Sequence, residues 1–195
     1  MSATAPPDIP PAEAAEPAAR ESLRRRLSAG PVARAIARAD LAGYRAMRTR
    51  CHDPRVERAI ATFSKTGEHA ALWLALGAAG MAVDPQRRAC WARGLASVGA
   101  AYTVNTALKA IARRDRPQLD GLPQLVATPT QLSFPSAHAA SSFAGARAYA
   151  PLIGGPALYA IAAAMAGSRV YLGVHYPSDV VAGALLGTLV GGLAR

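Results

Sequence analysis

Apolar residues run in five helix-length blocks through the last two-thirds of the chain, at about 64–83, 92–112, 137–153, 155–172 and 178–194. Each is near or a little under the ~20 residues that a membrane-spanning helix needs. The first carries charge only in its opening turns. The second and fifth have no interior polar face, while Arg147 interrupts the third. Small residues dominate throughout. In the fifth block Gly183, Gly187 and Gly191 recur every fourth position, which sets them on one helix face where a second helix can come close. The blocks predict an all-α protein, an integral membrane bundle of about five transmembrane helices. A soluble Ala-rich bundle is the competing reading, and the missing polar faces weigh against it.

The N-terminal third has a different character. Residues 1–19 are rich in Pro and Ala with scattered acids, a composition expected to stay disordered. Residues 20–58 form a basic, partly amphipathic region. Leu23, Leu27, Val32, Ala35, Ile36, Leu41 and Tyr44 recur at helical spacing among arginines, and Gly30-Pro31 breaks the run in two. Such a stretch suits a membrane surface, with its arginines at anionic headgroups. The expected domains are thus a tail (1–19), a basic region (20–58) and a membrane-embedded domain (59–195). No secretory signal pattern is visible.

Charge sharpens this picture. The net charge is +10 over 195 residues, and 12 of the 22 Lys and Arg lie before residue 66. Long apolar blocks and few stacking aromatics argue against nucleic acid as the partner and for a membrane or a phosphorylated ligand. Cys51 and Cys90 have neither metal-ligand spacing nor a disulfide pattern.

Consecutive spans alternate in direction. The end of the second block, the start of the third, the end of the fourth and the start of the fifth therefore fall on one side. The remaining polar clusters sit at these four places: Lys109-x6-Arg116-Pro117, Pro135-Ser136-Ala137-His138, and Ser168-Arg169-x5-His175-x3-Asp179. Lys109, Arg116 and Arg169 can grip a phosphate, the two arginines in bidentate fashion. Ser136 marks a helix start, whose free N–H groups attract anions. His175 precedes another helix start, and Asp179 four residues on can orient its ring. Taken singly, each cluster has an ordinary structural reading as a basic flank, a helix cap or a buried His–Asp pair.

Together they resemble the signature of the type 2 phosphatidic acid phosphatase superfamily, Lys-x6-Arg-Pro, Pro-Ser-Gly-His and Ser-Arg-x5-His-x3-Asp. The resemblance covers about residues 60–194. It departs at Ala137, where the family usually has Gly. It implies a membrane lipid phosphatase that needs no metal or other cofactor. His175 would be the nucleophile, Asp179 its orienting group and His138 the general acid and base. Lys109, Arg116, Ser136, the Ala137 N–H and Arg169 would hold the phosphoryl oxygens. Arg113, Arg114 and Asp115 fall in the variable gap and receive no role, and Glu68 and His69 are read as interfacial or packing residues.

The expected substrate is a polyprenyl or glycerolipid phosphate or diphosphate, with polyprenyl-phosphoryl-phosphoribose favoured. With five spans the basic N-terminal region shares the site's side, so the positive-inside rule puts the site on the cytoplasmic face of a multi-pass cell-membrane protein. The alternatives are an undecaprenyl diphosphate phosphatase on the outer face, a vanadate-dependent oxidase of the same superfamily and, in another class, a non-catalytic lipid-binding membrane protein.

Overall fold

The computed structural model describes residues 30–50 and 52–193. The expected disordered tail, residues 20–29 of the basic region and Cys51 lie outside them. The described residues form seven α-helices and two single 3-10 turns, with no strand. The helices are α1 (Pro31–Arg48), α2 (Pro54–Lys65), α3 (Ala71–Val83), α4 (Arg88–Ala112), α5 (Ala137–Ile153), α6 (Gly155–Tyr171) and α7 (Pro177–Gly192). The chain divides into compact units after Arg38, so the larger unit begins inside α1, within the segment expected to stand apart as the basic region.

The first apolar block is not one helix. Helix α2 closes at Lys65, where Thr66 turns its backbone N–H back to Phe63 and Ser64. A 3-10 turn over Glu68–Ala70 follows, with His69 and Ala70 in left-handed backbone (φ 51° and 62°). Helix α3 then runs for only 13 residues. At 1.5 Å per residue that is about 20 Å, short of a bilayer's hydrocarbon core. No described helix is both long and apolar enough to cross a membrane.

The other four blocks are helices close to their expected bounds. The tightest packing is between α5 and α7, and the glycine repeat is its cause. A Cβ at Gly183 would strike the Ser136 carbonyl, one at Gly187 the Ala140 carbonyl, and one at Gly191 would lie 2.7 Å from the Ala144 carbonyl. Main chain meets main chain along three turns. The opposite face of α7 is apolar and uncovered: Val181, Leu185, Leu189 and Leu193 are all more than half exposed.

Away from the site, aromatic side chains fill notches left by other glycines. The Trp73 indole lies against Gly145 and donates to Ser142 Oγ (2.9 Å). Tyr149 lies against Gly77 and Gly94 and donates to the Trp73 carbonyl (3.2 Å). The helix-rich core is thus locked by shape as well as by burial. At the far end Arg87 joins the α3–α4 turn to the Leu152 carbonyl (3.2 Å) near the α5–α6 turn.

Replacing Gly187 with Ala tests the seam. Ala is the better helix former by about 1 kcal/mol. Forcing a methyl into packed main chain costs about 1–3 kcal/mol, and here neither partner is a movable side chain. Gly187→Ala is therefore expected to lower the melting temperature. Gly99→Ala, whose Cβ would meet nothing within 4 Å, is expected to leave it unchanged or raise it.

Candidate active site

One end of the bundle collects the start of α5, the start of α7 and the ends of α4 and α6. Two backbone links set this end. Ser136 N–H donates to the Asp179 carbonyl (2.9 Å), joining the starts of α5 and α7. An antiparallel bridge between Asp115 and Leu132, with Arg116 N–H to Gln131 O (3.0 Å) and Ser133 N–H to Arg114 O (2.7 Å), joins the segment after α4 to the loop before α5. The Phe134–Pro135 peptide of that loop is cis.

A cavity of about 160 Å³ opens here. Lys109, Arg116, Ala137, His138, Arg169 and His175 all line it. These six come from all four expected helix ends. Ser136 and Asp179 are fully buried behind the wall rather than on it. The Ser136 hydroxyl lies 3.5 Å from the Ala139 N–H, a loose N-cap.

His175 is 2% exposed. Its Nδ1 stands 3.5 Å from Asp179 Oδ2, longer than a formed hydrogen bond, and Nδ1 has no other partner among the described residues. Its Nε2 lies on the other side, 3.3 Å from Arg116 Nη1. Burial, then the charges of Arg116, Arg169 and Lys109, push the imidazole well below its usual range, so the ring is neutral at physiological pH. Arg116 is anchored through Nη1 to the Val174 carbonyl (2.6 Å) and through Nε to the Thr130 carbonyl (2.8 Å). Burial lowers its own pKa to about 10, which still leaves it charged.

His138 Nε2 donates to the Ser64 carbonyl (3.2 Å), which fixes the ring's proton on that nitrogen. Arg169 Nη1 donates to Ser64 Oγ (2.6 Å), while its buried Nε has no partner among the described residues. Lys109 Nζ donates to the Leu132 carbonyl (3.1 Å). Three cations line one cavity, and one of them has a buried N–H without a partner among the described residues, an arrangement suited to an anion.

Several contributors carry no sequence signal. Ser64, at the end of α2, holds both His138 and Arg169 across more than 70 residues of sequence. Glu68, His69, Tyr102 and Thr106 line the mouth of the cavity, where His69 Nδ1 meets the Tyr102 hydroxyl (3.0 Å). Glu68 and His69, expected to be interfacial or packing residues, are exposed cavity residues. Arg114, given no role, donates to Asp179 Oδ1 (2.8 Å). Spacing alone could not single these out, because nothing near them in sequence repeats or pairs.

An all-α bundle with a basic, histidine-lined cavity at one end matches known proteins on three counts. The family model of the PAP2 superfamily matches residues 91–195. The decaprenylphosphoryl-5-phosphoribose phosphatase of Mycolicibacterium smegmatis is 43% identical over 130 residues, 67% of this chain and 72% of that protein. The Mycobacterium tuberculosis protein of the same description is 42% identical, over 67% and 73%. Among solved structures, Aquifex aeolicus LpxE superposes with a TM-score of 0.68 at 22% identity, covering 80% of this chain and 93% of that one. A transmembrane PAP2 type phosphatidylglycerolphosphate phosphatase from Bacillus subtilis gives 0.66 at 25%, covering 82% and 84%. The chain belongs to the PAP2 superfamily, and it is a phosphoric ester hydrolase.

The electrostatics of His175 can be read directly. In protein labelled with 15N-histidine, its ring is expected to remain neutral on titration through pH 6.5 and to protonate only well below that value. The sign follows from the shift: a lowered pKa extends the neutral, nucleophilic form to lower pH. A ring that titrates at an ordinary 6.5 contradicts the burial described above.

Proposed function

We propose that this chain removes the terminal phosphate from a polyprenyl-phosphoryl-phosphoribose through a phosphohistidine intermediate. The observation that carries the reading is the convergence of His175, His138 and three cations on one cavity. The two mycobacterial relatives named above support the substrate class.

In this reading Lys109, Arg116, Arg169 and the Ala137 N–H hold the phosphoryl oxygens, and Ser136 shapes the helix start that presents that N–H. Asp179 faces Nδ1 of His175, which leaves Nε2 to attack phosphorus. The bond from phosphorus to the ribose oxygen breaks as the Nε2–P bond forms. His138, carrying a proton on both nitrogens when substrate is bound, gives its Nδ1 proton to the departing oxygen while its Nε2–H stays on the Ser64 carbonyl. It then takes a proton from water, whose oxygen attacks phosphorus, and inorganic phosphate leaves as the Nε2–P bond breaks. The 3.5 Å His175–Asp179 separation suits a hydrogen bond that tightens as the imidazole gains positive charge.

The same proposal places the protein in a membrane, with residues 59–195 as the embedded domain and residues 20–58 on the surface. The uncovered stripe of Val181, Leu185, Leu189 and Leu193 supports it, as do exposed Val104, Leu108 and Ile111 on α4. Apolar stripes of this extent are matched by acyl chains. Orientation rests on charge. Asp40 and Arg48 of α1 bond to residues of the site end: Asp40 to Ser178, and Arg48 to the Tyr171 carbonyl. The part of the basic region from Asp40 to Arg48 therefore shares the site's side, and the positive-inside rule turns that side to the cytoplasm.

Purified enzyme in detergent is expected to release phosphate from a polyprenyl-phosphoryl-phosphoribose in the presence of chelator, and to do so faster than from undecaprenyl diphosphate. His175→Ala is expected to abolish release, and persistence of turnover would reject the assigned nucleophile. Ala137→Gly is expected to alter kcat/KM by less than about fivefold, since the backbone N–H that the site uses is present in either residue.

A further inference from the structure

A second carboxylate stands behind Asp179, and one guanidinium joins the two. Arg114 Nη1 donates to Asp179 Oδ1 (2.8 Å) and to Ser178 Oγ (2.7 Å), and Nη2 donates to Asp40 Oδ2 (2.7 Å). Asp40 is 3% exposed and also accepts from the Ser178 N–H (2.8 Å) and hydroxyl (2.6 Å). The Tyr176 ring covers the guanidinium, with Arg114 Cζ 4.3 Å from its centroid. The other Asp179 oxygen, Oδ2, accepts from the Tyr176 N–H (2.8 Å) and faces His175. Asp40 lies on α1, some 50 residues before the stretch that the family model matches.

The charges do not cancel, and the imbalance has a use. Arg114 alone against Asp179 would form a neutral pair, and a neutral pair does little to stabilise an imidazolium. A guanidinium shared between two carboxylates leaves the triad with a net charge of −1. The triad is largely shielded from water, where such a charge is felt over several ångströms. Arg114 also fixes the rotamer of Asp179, because its planar fork can reach both carboxylates at once.

We propose that Asp40 and Arg114 are positioning residues for phosphoryl transfer: Arg114 aims Asp179 at His175, and Asp40 restores the negative charge that Arg114 would otherwise neutralise. This rests on the assignment of His175 as nucleophile. It goes beyond that assignment by giving a residue of the N-terminal helix a part in the reaction.

The test compares Asp40→Asn and Asp40→Glu with wild type in the full-length enzyme, measuring kcat, KM and the pH dependence of kcat/KM on one lipid phosphate. Asp40→Asn keeps the shape and removes the charge. It is expected to lower kcat by roughly tenfold, as loss of an outer partner to a reacting ligand commonly does. KM is expected to be unchanged, and the acid limb of the profile to move to lower pH because His175 becomes less basic. Asp40→Glu retains the charge and is expected to hold the acid limb at its wild-type position. A purely structural Asp40 would lose activity only in proportion to folded protein, with the limb unmoved, and that result overturns the proposal. If Asp40→Asn does not fold, Arg114→Lys, a point charge that cannot span both carboxylates, is expected to give the same loss of kcat at constant KM. Wild-type kcat in that variant also overturns the proposal. Inactivity of the wild type, or full activity of His175→Ala, would instead strike at the assignment of the reaction itself.

Discussion

The approach of α7 to α5 at main-chain distance governs everything at the site end. His138 sits in the first turn of α5, and His175 and Asp179 flank the start of α7. The two helix starts can bring both histidines to one cavity, with Asp179 behind His175, only if their axes lie closer than ordinary side chains permit. Gly183, Gly187 and Gly191 remove the obstacle, and the Ser136–Asp179 backbone bond sets the register along the seam. Helix pairs built on small residues gain their stability from extensive close contact rather than from any single strong bond. A displacement of 1 Å here would be felt at both histidines together, and misplacement on that scale can cost a hundredfold in rate.

The site as built combines groups with opposing demands. Burial, and then three cations that repel one another in one cavity, hold His175 neutral, which suits a nucleophile. In the proposed reaction the cations also oppose the positive charge that the ring would acquire on bonding to phosphorus. Asp179 answers the second demand and an incoming phosphate answers the first. The long His175–Asp179 distance and the unpaired Arg169 Nε belong to this balance. Polar groups that stay unsatisfied inside a folded chain cost stability, and they concentrate where a ligand will satisfy them.

Much of this was legible in the sequence, and the reasons are specific. Lys109, Arg116, His138, Arg169 and His175 line one cavity, and their convergence is legible because successive helices alternate direction, so that spacing alone gathers four helix ends on one side. The glycine face of α7 was found because a period of four marks a helix stripe. The first apolar block misled, because hydropathy does not register backbone handedness. His69 and Ala70 turn left-handed without a glycine at either position, and the chain is cut into α2 and a short α3. Arg114, Asp40 and Ser64 were invisible because each acts through a partner 65 or more residues away, and no local rule reports such pairs. The amphipathic reading of α1 includes Tyr44 but not Asp40 and Arg48, the two charged residues that share its buried side.

The glycine repeat has one more effect. A helix with glycine at every fourth position has little intrinsic tendency to form, losing about 1 kcal/mol at each such residue relative to alanine. Docking on α5 therefore contributes to the stability of α7. In the proposed reaction the site is complete only with α7 seated on α5, because that contact sets Asp179 behind His175.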